Sequence, residues 1–119
     1  MAKLFDSEGY GLTQLTGIGL RKALEFLVKD FAVSQHPGDK EKIEKKKLST
    51  CINDYLEYVN LKATAKRATW LGNDETHYVR KWEDKDISDL KVLIRLTMNW
   101  VDNVLLTAKY ALDMPEPKG

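Results

Sequence analysis

The chain has 119 residues, enough for one domain and too few for two, and 43% of them are hydrophobic and 31% charged. Its 19 basic and 18 acidic residues give a formal net charge of +1, which excludes a global attraction to nucleic acid or to an anionic membrane and confines any basic site to a local patch. The only cysteine, Cys51, excludes an internal disulfide and fits a reducing compartment.

The first predicted helix follows an N-terminal arm formed by residues 1–11. It begins near Leu12 or Thr16 and runs to about Ala32. Its apolar residues recur at intervals of three and four, which is typical of a single buried stripe. The stripe consists of Leu20, Leu24, Leu27, Val28 and Phe31.

A loop over residues 34–39 ends this helix, because it contains a proline and a glycine. The second helix is predicted over residues 40–60, again with one apolar stripe. The stripe consists of Ile43, Leu48, Cys51, Ile52, Tyr55, Leu56 and Val59. Because Cys51 belongs to it, we expect its thiol to pack in the core and to be unreactive.

The third helix is predicted over residues 61–71, where alanines allow close packing. Gly72 and Asn73 follow and suit a left-handed helix end. Two acidic residues come next and favour the first turn of a short extra helix. That helix would carry His77, and Trp82 near its end.

The last predicted helix is the longest, and either Asp86 or Ser88 caps it. It is apolar nearly all round, so we expect it to be central or shared with a second subunit. The stripe consists of Ile87, Leu90, Leu93, Ile94, Thr97, Trp100, Val101, Val104, Leu105, Ala108 and Leu112, with Leu96 and Leu106 off it. Residues 113–119 read as a disordered tail.

These elements predict an all-α domain over residues 12–112, built as an up-and-down four-helix bundle with one short extra helix. The first residues lack the apolar core of a signal peptide, and no apolar run approaches the roughly 20 residues that span a bilayer. We therefore expect a cytoplasmic protein without membrane contact. Metal-ligand spacings and nucleotide-binding motifs are too weak to predict a metal or a cofactor.

A polar site is predicted around Asn73 and His77, which are four residues apart and share a helix face. Arg67 and Arg80 flank the pair closely. An amide, an imidazole and a guanidinium together can handle a phosphodiester, because histidine exchanges protons near neutral pH. The alternative is structural: Asn73 caps a helix and His77 packs against the bundle.

Two other residue pairs and one lysine-rich segment also allow either a functional or a structural interpretation. Arg21 and Glu25 either form a local ion pair worth a few tenths of a kcal/mol, or Arg21 reaches the polar site and Glu25 holds it there. Trp70 and Trp82 flank the polar site and either line a groove for base stacking or pack the short helix. The lysine-rich residues 39–47 are either a solvated face or a phosphate contact.

Three features resemble, in chain order, a bacterial domain of unknown function from restriction and defence contexts that is grouped with the HEPN superfamily. The match covers roughly residues 12–110. The features are an Arg-x-x-x-Glu (Arg21, Glu25), a Gly-Asn-x-x-x-His (Gly72, Asn73, His77) and an acidic connector before a long apolar helix (Glu83, Asp86, Leu90).

This resemblance implies a HEPN-like fold and a homodimer. Many HEPN domains are metal-independent ribonucleases, in which two protomers combine an Arg-polar-x-x-x-His motif. By position, Asn73 matches the polar residue and His77 the histidine, but Gly72 stands where the phosphate-binding arginine is expected. Arg67 or Arg80 would have to replace it in space.

Two functions follow from the resemblance. One is a non-catalytic or degenerate module in a defence or mobile-element context, with RNA or a protein as its partner. The other is a metal-independent endoribonuclease that cleaves RNA through His77 and Asn73, using the 2′-hydroxyl of the substrate. Arg67, Arg80 or Arg21 would then offset charge on the phosphate.

Overall fold

The computed structural model describes residues 2–74, 81–82 and 84–117, and side chains from Thr16 onward. Within these ranges the chain forms five α-helices and one 3₁₀ turn, and no β-strand. They are α1 (Ala2–Gln35), the turn (Pro37–Asp39), α2 (Lys40–Lys45), α3 (Leu48–Tyr55), α4 (Val59–Asp74) and α5 (Ile87–Asp113). The predicted all-α class is confirmed.

The core lies where the three long helices meet. The α4–α5 pair has the most extensive contact, α1 packs against both of these helices, and α3 closes the core against α1 and α4. Every helix contributes apolar side chains that are withdrawn from water, which is the main favourable term in folding. Those most fully buried are Leu24, Val28, Ile43, Ile52, Leu56, Leu61 and Leu90.

The predicted second helix is two short helices. The backbone is extended at Lys46 and Lys47, which separates α2 from α3. In one continuous helix Ile43 and Leu48 would point about 140° apart. The break lets both side chains enter the same core, where Ile43 is fully buried and Leu48 is 5% exposed. The prediction was wrong here because it assigned both residues to one stripe although they are five positions apart.

The first residues of two helices also differ from the prediction. Helix α1 begins at Ala2 instead of near Leu12. Helix α4 begins at Val59, which is 81% exposed and not part of an apolar stripe. Short-range periodicity therefore located the centres of the helices better than their ends.

Helix α5 begins with a complete capping box. The side chain of Asp86 accepts hydrogen bonds from the backbone N–H groups of Ser88 and Asp89, and Asp89 accepts one from the N–H of Asp86. Asp86 is thus the cap among the two expected residues. Over the described parts of the chain, no helix combines the length and the apolarity needed to cross a membrane.

Candidate functional site

Arg21 and Asn73 are brought together across the α1–α4 contact. Nε of Arg21 donates a hydrogen bond to Oδ1 of Asn73 over 2.9 Å. Gly72 makes this approach feasible, because a Cβ atom there would lie 3.3 Å from Cγ of Arg21. A glycine at this point of α4 therefore serves close helix packing.

The sequence predicts that the third helix ends at Gly72 and Asn73, and the structure differs. Both lie within α4, which continues to Asp74, and Gly72 has no left-handed backbone. The reason is tertiary: α1 packs directly over this turn and Asn73 accepts from Arg21. The predicted left-handed helix end at these two residues is therefore wrong.

Glu25 is held by lysines. Its carboxylate lies 3.0 Å from Nζ of Lys22 and 3.9 Å from Nζ of Lys29. The hydrogen bond from Lys22 is the main reason that the pKa of Glu25 is lowered, and the charge of Lys29 adds to it against the effect of partial burial. Arg21 thus bonds to Asn73 while Glu25 pairs along its own helix.

His77 and Arg80 lie outside the described residues. The expected relation between Asn73 and His77, and the spatial role proposed for Arg80, remain predictions. Asn73 is the member of the expected catalytic pair whose surroundings are described.

Trp70 and Trp82 form a stacked pair. Their ring centroids are 5.9 Å apart and their planes differ by 9°. The guanidinium of Arg67 lies 5.4 Å from the centre of the Trp70 ring, within reach of a cation–π interaction. Both rings remain about 40% exposed, 42% for Trp70 and 39% for Trp82. Two of the expected binding residues therefore meet on an open surface.

The stacked pair borders a cavity of about 280 Å³, which we call the tryptophan pocket. Its walls are mainly apolar, with cationic side chains from α4 and from the connector before α5. The pocket is lined by Arg67, Trp70, Leu71, Trp82, Lys85, Asp89, Val92 and Leu93. The volume lies just below the roughly 300–1,000 Å³ of small-molecule sites, so it suits one ring system more than a large ligand.

Asp74 holds Trp82 in place. This carboxylate is only 6% exposed and accepts a hydrogen bond from the backbone N–H of Trp82 over 2.7 Å. The end of α4 is thereby tied to the chain that leads into α5. Neither this role of Asp74 nor the place of Lys85 in the pocket was predicted, because both depend on three-dimensional packing and not on helical spacing.

The lysine-rich segment and Cys51 have local explanations. Lys46 pairs with Asp54 over 3.2 Å, and the other lysines between residues 40 and 47 are exposed, which agrees with a solvated face. Cys51 is fully buried, its thiol donates to the carbonyl of Ile43 over 3.4 Å, and burial raises its pKa. Neither feature adds to the tryptophan pocket.

Among the residues that the structure describes, no group of three or more histidine, cysteine, aspartate or glutamate side chains is arranged to hold a metal ion. The described candidate site offers flat aromatic faces, guanidinium groups and an amide for binding. Comparison of the chain with protein-family models, with curated proteins and with solved structures found no match. The site must therefore be interpreted from its own residues.

Proposed function

We propose that the chain is a HEPN-like, homodimeric and non-catalytic RNA-binding module, in which the tryptophan pocket receives an unpaired base. The setting in phage defence or in a mobile element comes from the resemblance. The observation that carries the proposal is the parallel pair of half-exposed rings, Trp70 and Trp82, with Arg67 against one of them.

The pocket combines the two features that single-stranded RNA recognition needs. Aromatic faces stack on any base, and this contact is worth about 1–3 kcal/mol per base. Arg67 and Lys85 supply positive charge for the adjoining phosphates. Asp89, at the other wall, is engaged in the capping box of α5. A flat ring joined to an anionic group fits these walls better than a purely apolar side chain of a protein.

The direct test is fluorescence anisotropy with a labelled single-stranded RNA, compared with its duplex. We expect Trp70→Ala to weaken binding of the single strand about 5- to 150-fold. The matched control is Phe26→Ala on α1, since Phe26 is also exposed and carries a cation, Lys22, 5.4 Å from its ring. Wild-type protein that does not bind, or an equal loss in both variants, would refute the proposal.

Salt dependence tests the basic part of the site. Each phosphate contact in a single strand adds about 0.7 to the slope of log affinity against log salt concentration. Arg67→Gln should therefore lower that slope by about 0.7. An unchanged slope would remove Arg67 from phosphate binding and leave it as a partner of Trp70.

A metal-independent endoribonuclease using His77 and Asn73 is the second candidate, and the hydrogen bond between Arg21 and Asn73 favours it. Gly72 lacks the arginine expected by the resemblance, but the side chain of Arg21 lies directly beside Gly72 and brings a guanidinium from another helix. Such a group can offset charge on a phosphate in the transition state.

The two functions separate in a cleavage assay with EDTA present. Wild-type protein that cleaves RNA, with loss of cleavage in both His77→Ala and Arg21→Ala, would establish the nuclease. RNA that is bound through Trp70 and stays intact would establish the module. A folded wild-type protein that neither binds nor cleaves RNA would overturn both.

A further inference from the structure

Helix α5 carries a second regular row of residues on the face opposite its core stripe. The intervals along this row alternate between four and three, which is the spacing of the inner positions of a coiled-coil heptad. We call it the outer seam; it consists of Val92, Leu96, Asn99, Asn103, Leu106 and Tyr110. All six side chains are exposed, and the four apolar ones by 40–55%.

The outer seam is unlike an ordinary solvated face. The opposite side of α5 already packs into the core through Leu90, Ile94, Thr97 and Val101. A soluble helix that uses one face for its core normally presents charged residues on the other. Here the outer seam contains no charged residue over six positions, a length of about 27 Å. Its spacing fits a second helix laid along it.

The order of residues along the outer seam identifies the second helix. Read in either direction, it runs apolar, apolar, Asn, Asn, apolar, apolar. When a copy of α5 is laid against it in the antiparallel direction, Asn99 faces Asn103 of the other copy. Leu96 then faces Leu106, and the outermost apolar residues also face each other. A twofold interface requires this self-complementarity, whereas an unrelated partner does not.

The two asparagines favour one register of the antiparallel pair of α5 helices. An amide group both donates and accepts hydrogen bonds, so Asn99 of each copy can bond to Asn103 of the other copy. The interface then contains two such amide pairs. A shift by one layer would place an amide against a leucine and leave it without a partner, at a cost of about 1–3 kcal/mol. Polar residues inside a helical interface fix register in this way.

We infer that the outer seam of α5 is the interface with a second, antiparallel copy of this chain. The inference rests on the homodimer of the proposed function and specifies its interface. Val92 both begins the outer seam and lines the tryptophan pocket, so the two pockets of a dimer would lie at the two ends of the interface. Each dimer would then offer two base-binding pockets related by the twofold axis.

The first test is sedimentation velocity at micromolar concentrations. Leu96→Glu with Leu106→Glu should raise the dimer dissociation constant at least about 100-fold, because buried unpaired charges oppose association. The matched control is Met98→Glu with Leu105→Glu, since these residues are similarly exposed on another side of α5, 48% and 43%. Circular dichroism verifies that both variants fold. Equal effects in the two variants, or a dimer that survives the first, would overturn the interface.

The second test is disulfide cross-linking, which reads the direction of the helices. A disulfide needs Cα atoms within about 7 Å. An equal mixture of Asn99→Cys and Asn103→Cys should form a linked dimer that neither variant forms alone. Linking of either variant alone would indicate parallel helices and overturn the register. A monomeric wild type that still binds RNA through Trp70 would overturn the dimer and leave RNA binding intact.

Discussion

Arg21 on α1 donates a hydrogen bond from Nε to Oδ1 of Asn73 on α4, over 2.9 Å and across 52 residues of sequence. The contact joins a residue of the first motif to one of the second. Gly72 favours this close approach, since a Cβ on residue 72 would lie 3.3 Å from Cγ of Arg21, tighter than an ordinary van der Waals contact. The lack of a side chain at Gly72 and the guanidinium of Arg21 are therefore parts of one packing arrangement between α1 and α4.

This arrangement predicts coupled effects of Gly72→Ala and Arg21→Ala on the free energy of unfolding. Alanine is favoured over glycine within a helix by about 0.5–1 kcal/mol. We expect that gain in the Arg21→Ala background, where only the Cβ of residue 21 remains close, at an ordinary contact distance of 3.4 Å. In the wild-type background Cγ of Arg21 must shift by a few tenths of an ångström to admit the new Cβ, so the gain should be smaller by about 0.5 kcal/mol. Urea denaturation of the four proteins measures the difference, and identical effects in both backgrounds would contradict it.

Asp74 should be the most sensitive position at the end of α4. Asp74→Ala removes the buried carboxylate that accepts the backbone N–H of Trp82 and should cost about 1–3 kcal/mol, with a change in tryptophan fluorescence. Asp74→Asn keeps an acceptor and should cost less. Asp84 is the control, because its side chain is 78% exposed and its replacement by alanine should stay within about 0.5 kcal/mol. Equal effects at the two positions would refute the role of Asp74.

Glu25 should make stability depend on acid pH. Its folded-state pKa lies below the ordinary value of 4.5, chiefly through the hydrogen bond from Lys22. The stabilisation is therefore complete above about pH 5 and is lost as pH falls through the folded-state pKa. Glu25→Gln should cost about 0.5 kcal/mol at pH 7 and low salt, and clearly less at pH 3. Urea denaturation at the two pH values tests this; a pH-independent cost would contradict it.

Cys51 should resist thiol reagents in the folded protein. The thiol is fully buried, and burial raises its pKa, so little reactive thiolate is present or accessible at pH 8. We expect labelling by a chromogenic disulfide reagent to await unfolding in urea. Ser49→Cys on α3 provides an exposed thiol as the positive control. Complete labelling of the wild type within seconds, without denaturant, would show that Cys51 is accessible.

The sequence was sufficient for features that depend on neighbouring residues. Helical class follows from local periodicity, and the cap at Asp86 follows from a short polar pattern before an apolar helix. The break at Lys46 and Lys47 shows in the sequence only as the five-residue interval between Ile43 and Leu48. That interval does not say whether one of the two residues leaves the core or the helix breaks, because the choice depends on packing against the other helices.

The candidate site likewise contains some contacts that local spacing predicts and others that it does not. Trp70, Trp82 and Arg67 were selected because they lie near one another in sequence, and the structure groups them around one cavity. The hydrogen bond between Arg21 and Asn73 spans 52 residues of sequence. Glu25 is predicted to hold Arg21, and in the structure it pairs with Lys22 and Lys29. Spacing identifies which side chains share a helix face, and only tertiary packing decides which partner each one takes.

The stacked rings of Trp70 and Trp82 also give the protein a built-in optical signal. Two indoles whose centroids are 5.9 Å apart are close enough for their electronic transitions to couple, and such coupling gives a paired positive and negative band in circular dichroism when the transition dipoles are not parallel. That band depends on the contact between Trp70 of α4 and Trp82, so its loss reports the separation of these two segments. Their docking can thus be followed in unlabelled protein, independently of global unfolding.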